Sequence, residues 1–293
     1  MTEASDRARG VKRLVEQFDL HTDGSIALKA NYNSDDPFPA STHPETLRML
    51  AELLKDRSGS LVMAERSGMG VTGTVLRNRG VFELSRRMGF ELIDLDSLGS
   101  DGWEDIQAEG LHWKQGFKIA GIFRQAEKVV QTCCLKVHRF GGHFTMSLKN
   151  SVGLVASHPR GTYYDYMREL HTSPFQRLMI AEINKFYKTD LVLMDASSGF
   201  ASGGPERGEL IKPGLLLASS DRVALDAVGV ALLRLYKSTT EVMRGRIFEQ
   251  EQISRAAALG VGVGSSEKID LVPLDEPSRK AAGAIGNMLQ SQG

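Results

Sequence analysis

Short aliphatic runs closed by polar side chains recur along this chain and alternate with segments of helical period, and that alternation is its strongest constraint on fold. Residues 25–31 (SIALKAN), 60–65 (SLVMAE), 91–96 (ELIDLD), 128–135 (KVVQTCCL) and 190–196 (DLVLMDA) have the length and composition of buried strands. The spacing predicts a helix capped by Thr42 and running to Asp56, and another over residues 72–88. Strand, helix and strand in that order imply a crossover connection and parallel pairing. The expected class is α/β: a mixed, mainly parallel sheet with helices on both faces and βαβ units in the N-terminal half.

Further along, helices are expected over 146–155, over 165–187 with a break at Pro174, from Ser220 or Asp221 to Tyr236, over 249–259 and from about Glu276 to residue 291. Strands are expected at 215–218 and 268–272. Residues 121–127 read as a helical turn or two, and 101–103 as a turn. With no repeat or linker in view, residues 1–293 read as one domain, a split into two lobes near residue 128 being the alternative.

Composition excludes several classes of function. The 293 residues are 41% hydrophobic and 25% charged, ordinary for a globular chain, and 36 basic residues balance 36 acidic ones. No global field draws such a chain to nucleic acid or anionic membrane. The two cysteines, Cys133 and Cys134, are adjacent in an apolar run, which suits neither a disulfide framework nor a metal cage. Residues 1–17 lack the apolar core of a signal peptide, and no apolar stretch approaches the roughly 20 residues that span a bilayer. The expectation is a cytoplasmic protein with a small-molecule ligand, no nucleic-acid or membrane partner, and a homo-oligomer left open.

Polar groups gather at the carboxyl ends of the expected strands, where open parallel sheets bind ligands. Lys29 and Asn31 end the first, Glu65 the second, Asp94 and Asp96 the third, and Asp195 ends 190–196. Residues 135–153 (LKVHRFGGHFTMSLKNSVG) are the densest cluster, with Lys136, His138, His143, Lys149 and Asn150 around Gly141 and Gly142. So many polar groups cannot be buried without partners, because each unpaired one is costly to desolvate. Asp226 interrupts an apolar helix and needs either a cation, such as Lys149, Lys29, His138 or a bound metal, or a structural bond to backbone amides. Gly68, Gly70 and Gly73 form a G-x-G-x-x-G between strand and helix, the pattern that receives a dinucleotide, although residues 65–67 separate it from the apolar strand. Gly203 and Gly204, in the loop after Asp195, permit close approach of a ligand; a surface loop is the plainer reading.

Together these residues resemble the prokaryotic domain of unknown function numbered 362. The matching pieces are residues 29–31 with 42–45, residues 135–138 with 148–153, residues 190–195 with Gly204, Pro205 and Gly208, and residues 218–227; they span about 24–272. The first motif usually has proline where this chain has Ala30, and the family often has threonine at the position of Val137. Many members carry ferredoxin-type cysteine clusters; this chain does not, so no intrinsic iron–sulfur cluster is expected. A more distant likeness is to the lactate racemase family, which uses a nickel pincer nucleotide tethered to lysine with histidine as metal ligand and acid/base. His138 and Lys149 have a comparable order and spacing.

The leading expectation is an enzyme doing proton transfer on a small anionic metabolite in an isomerase- or racemase-like way. His138 would be general base or metal ligand, and Lys149 would stabilise an oxyanion or anchor a cofactor. Lys29, Asn31, Lys136, Asn150, Gly203 and Gly204 would bind substrate, while Asp195 and Asp226 would hold the lysines or a divalent cation. The alternatives are a dinucleotide-dependent oxidoreductase using Gly68, Gly70 and Gly73, and a metal- or ligand-binding maturation protein.

Overall fold

The structure, a computed structural model, describes residues 1–158 and 163–293. Its strands are β1 (Thr2–Glu3), β2 (Thr22–Lys29), β3 (Ser58–Glu65), β4 (Glu91–Asp94), β5 (Trp103–Ile106), β6 (Phe117–Ala120), β7 (Lys128–His138), β8 (His143–Phe144), β9 (Leu191–Ser202), β10 (Glu209–Ile211) and β11 (Leu215–Ser219). The main sheet runs β1-β11-β9-β7-β2-β3-β4. Pairings from β9 through β7, β2 and β3 to β4 are parallel, and β11 joins β9 antiparallel. The chain is therefore α/β with a mixed, mostly parallel sheet. Because β7 pairs with both β2 and β9, one sheet runs through both sides of residue 128.

The pleat divides the core. On β7, Cys133, Leu135 and Val137 face the cluster built on helix Arg222–Leu235 and the terminal helix Glu276–Gln292, while Val130 faces the cluster under helices Arg7–Val15 and Pro44–Lys55. A third cluster, around Trp113, Phe117 and Phe123, packs beneath the β5-β6 hairpin. No helix among the described residues is long and apolar enough to cross a membrane.

Several local expectations change. His43, not Thr42, caps helix Pro44–Lys55 through its Nδ1, and the Thr42 hydroxyl instead accepts from the Asn31 amide. The helix expected over 72–88 is two, Thr72–Asn78 and Val81–Met88, parted at Gly80, whose φ of 70° is left-handed. The loop after Asp195 is largely a hairpin, because β9 runs on to Ser202 and β10 returns along it. Over 268–272 no strand forms; a 3-10 turn, Ser266–Lys268, precedes irregular chain whose Leu274 amide bonds to Met1.

Candidate functional site

Between the carboxyl ends of β2, β3 and β7 lies a cavity of about 670 Å³. Lys29, Asn31, Lys136, His138, Lys149 and Asn150 all line it, as do Gly68 and Gly70 at one rim. Parallel β2, β3 and β7 deliver Lys29, Glu65, Lys136 and His138 to one edge. A single helical turn, Ser147–Asn150, brings Lys149 and Asn150 to the same space.

Two of the cavity lysines are engaged by protein. Lys29, 2% exposed, donates to Glu65, to the Ala30 carbonyl at 2.7 Å and to Asn150 Oδ1 at 3.1 Å. Burial pushes Glu65 up and Lys29 down, each shift partly offset by the other's charge. Glu65 also accepts from the amides of Arg66 (2.9 Å) and Tyr32 (3.3 Å). Lys136 is equally buried, donates to the Ala40 carbonyl, and is shifted down by burial. Its ammonium meets no carboxylate in the described structure.

Lys149 stands differently. The side chain is half-buried at the cavity wall; its nitrogen makes no hydrogen bond or ion pair among the described residues, and loss of solvation, with the nearby charges of Lys136 and Arg66, brings it down to about 8. Arg66 is itself buried, its guanidinium spent on the carbonyls of Val155 (2.8 Å), Val152 (2.9 Å) and Ser67 (3.2 Å). Asp165, also at the cavity, caps helix Tyr166–Thr172 and pairs with His158 at 3.1 Å. Asp96, the other carboxylate at the cavity, accepts from the Thr72 hydroxyl at 2.6 Å, so among the described residues Lys136 and Lys149 are left with no carboxylate in contact, only the more distant charges of Asp36 and Glu206 acting on Lys136.

His138 is held neutral, first by burial and then by Lys149, His171, Lys136 and Arg139, which place it far below the ordinary imidazole value. Its Nδ1 accepts from the Gly142 amide at 3.3 Å, so the ring proton sits on Nε2. Gly142 also explains how His138 and Lys149 come together. A Cβ there would lie 2.8 Å from His138 Nδ1 and 3.0 Å from Lys149 Cε, so both side chains occupy the space a side chain would need. Gly142→Ala is expected to push the two apart at a cost of about 1–3 kcal/mol. Urea unfolding measures the loss; a change under about 0.5 kcal/mol would mean that the pair tolerates the displacement.

Other expected site residues lie elsewhere. Asp226, fully buried, meets no lysine or histidine. It accepts from Ser147 N (2.8 Å), Ser147 Oγ (2.6 Å) and Leu148 N (3.0 Å), and burial raises it to about 6. It holds the turn that carries Lys149 rather than lining the cavity. Asp195 accepts from Arg7 (2.8 Å), Thr46 (2.8 Å) and Ser197 (2.7 Å), also outside the cavity. The described residues contain no group of three or more His, Cys, Asp or Glu side chains able to hold a metal. The donor set therefore does not fit the divalent cation expected at Asp195 and Asp226, whose oxygens are taken by Arg7, Thr46 and backbone amides.

The glycine loop serves the fold. The amides of Gly68 and Met69 both bond to Asn33, at 3.1 and 2.8 Å, so they are not free to cradle a pyrophosphate. A Cβ on Gly73 would press on Asp94 at 3.2 Å. Gly203 and Gly204, unlike Gly68 and Gly70, do not line the cavity. A Cβ on Gly204 would collide with the Val137 carbonyl, and it is the neighbouring Pro205 that reaches the cavity wall. Sequence reasoning passed over Arg66, His158 and His171, all at the cavity. Arg66 carried a signal, since it directly follows Glu65 at a strand's carboxyl end.

Comparison with known proteins adds the family. A model of the domain of unknown function DUF362 matches residues 26–231, most of the chain and every element around the cavity. The chain belongs to the DUF362 family. A curated relative, the thylakoid-associated protein sll1697 of Synechocystis sp. (strain ATCC 27184 / PCC 6803 / Kazusa), is 24% identical over 206 residues. That match covers 69% of this DUF362 chain and 60% of the relative. Among solved structures, the lactate racemase apoprotein from Thermoanaerobacterium thermosaccharolyticum aligns with a TM-score of 0.45 at 16% identity, covering 77% of this chain and 55% of that one.

Proposed function

We propose that this DUF362 chain is an enzyme that activates the carbonyl of a small anionic metabolite, of the 2-oxo acid type, for proton transfer at the adjacent carbon. One observation carries the reading: Lys149, whose nitrogen has no partner among the described residues, packs beside neutral His138 in a cavity also lined by Lys136, whose ammonium touches no carboxylate there. Buried cations without counter-ions favour an anionic ligand, since its charge restores what burial removed. The roles differ from those expected of the sequence. With its proton on Nε2, neutral His138 offers an N–H to a carbonyl oxygen rather than a lone pair to a proton. Lys149 is the group that titrates near neutrality. Lys136 supplies the charge for the ligand's carboxylate, and Asn150, fixed by the Thr132 carbonyl at 3.0 Å, frames the floor.

Two measurements test this. Oxalate, an enolate-like dianion, should bind in calorimetry and lose about tenfold or more in affinity, roughly 1.4 kcal/mol, in Lys136→Met and in Lys149→Met. Proton NMR in deuterated water should show protein-dependent exchange at the methyl group of pyruvate. Equal oxalate affinity in all three proteins would remove the anion site. Binding without exchange on any 2-oxo acid would instead describe a ligand-binding protein.

A further inference from the structure

We propose that Lys149 acts covalently, its Nζ condensing with the carbonyl carbon of a 2-oxo acid to form an imine. The inference rests on the reading of the cavity as a 2-oxo acid site and goes one step further, from an amine that senses the ligand to one that bonds to it.

The first support is how the turn is built. Ser147 is held by Asp226 and by the Arg222 carbonyl, Asn150 by Thr132 and Lys29, and Ser151 by the Leu148 carbonyl, which Asn184 also reaches at 3.0 Å. Of the polar side chains on residues 147–151, only Lys149 is left without a partner among the described residues. Its backbone is therefore fixed while its nitrogen is free, an arrangement that places one reactive atom at low entropic cost.

The second support is the sign of the surroundings. A lysine that serves only to bind an anion gains from a nearby carboxylate that keeps it charged, as Glu65 does for Lys29. Lys149 has the opposite environment, with Lys136 and Arg66 as its charged neighbours. A cation beside a partly buried lysine favours the free amine, and the free amine carries the lone pair that attacks carbonyl carbon. The third support is the packing of His138 and Lys149 side by side at Gly142, through His138 Nδ1 and Lys149 Cε, on the wall of one cavity, so that a ligand held there lies beside both side chains.

The step balances without any further reactant. The Nζ lone pair attacks the carbonyl carbon and the C–N bond forms as the π pair moves onto oxygen, where the Nε2–H of His138 can hydrogen-bond to it. The two Nζ protons pass to that oxygen and the C–O bond breaks, releasing water and leaving the C=N bond. Nothing is oxidised or reduced. The imine then draws electrons from the adjacent carbon, which makes its proton easier to remove.

The experiment is reductive trapping. The protein is incubated with glyoxylate and, separately, with pyruvate in the presence of cyanoborohydride, then digested and mapped by mass spectrometry. The expected result is one reduced adduct, on Lys149, about tenfold or more above any surface lysine and absent from Lys149→Arg, which keeps the charge but cannot form an imine. In Lys136→Met the pH midpoint of trapping should move upward. Trapping spread over surface lysines with Lys149 unmodified in the unaltered protein, while oxalate still binds, would overturn the imine and leave the anion site standing. Failure of both trapping and oxalate binding would overturn the two readings together.

Discussion

Glu65→Ala is expected to destabilise the protein by about 3–5 kcal/mol, the usual cost of removing one member of a buried ion pair. The change leaves the Lys29 ammonium, 2% exposed, without its carboxylate, and it strips acceptors from the Tyr32 and Arg66 amides. The pair is closely packed on the Gly153 side, where a Cβ would lie 2.9 Å from Lys29 Cε and 3.2 Å from Glu65 Oε1. Replacing both partners, Lys29→Met with Glu65→Leu, should recover much of the loss, since neither charge is then stranded. Urea unfolding at constant m-value measures both proteins. A loss under about 1 kcal/mol for Glu65→Ala would place the pair among exposed salt bridges in its energetics.

The same pair shows what the sequence could and could not disclose. Lys29 and Glu65 are each visible as polar closures of apolar runs, because strand period and turn residues are local signals. That they touch is not local: they are 36 residues apart, and only the parallel register of β2 on β3 sets them side by side. Asp226 illustrates the other half of this limit. An acid in an apolar helix must have partners, and burial energetics demand that much from sequence alone. Which partners was open, and the structure gives it the first amides of the Ser147–Asn150 turn instead of a cation.

Roles were harder to read than places. The cluster at 135–153 was legible because its polar density is unaffordable in a core without function or partners. The proton's position on His138 depends on a single amide, that of Gly142, and a sequence does not say which ring nitrogen a backbone N–H will meet. The loop at 68–73 misled for a related reason. Its glycines match a phosphate-binding spacing, yet the first two of its amides, those of Gly68 and Met69, bond to Asn33 in the segment that follows β2.

Lys149→Met is expected to lower the pyruvate exchange reaction about a thousandfold, the scale of losing a group that transfers or activates a proton. Its effect on stability should have the opposite sign from that of Glu65→Ala. Lys149 sits near 8 in the fold against an ordinary 10.5, so below about pH 8 it is charged in both states and the folded state carries the desolvation cost. Between about 8 and 10.5 the unfolded chain holds the extra proton, so stability of the unaltered protein rises with pH across that window. Methionine carries no proton, and its variant should be as stable as the unaltered protein or more so at pH 7, with an advantage that shrinks as pH climbs toward 10.5. Paired thermal melts at several pH values and the exchange assay decide the matter together. A variant that loses stability at pH 7 yet keeps exchange would make Lys149 a structural residue. One that melts at the same temperature or higher and loses exchange shows a half-buried cation that the fold does not need, for which chemistry is the remaining reason.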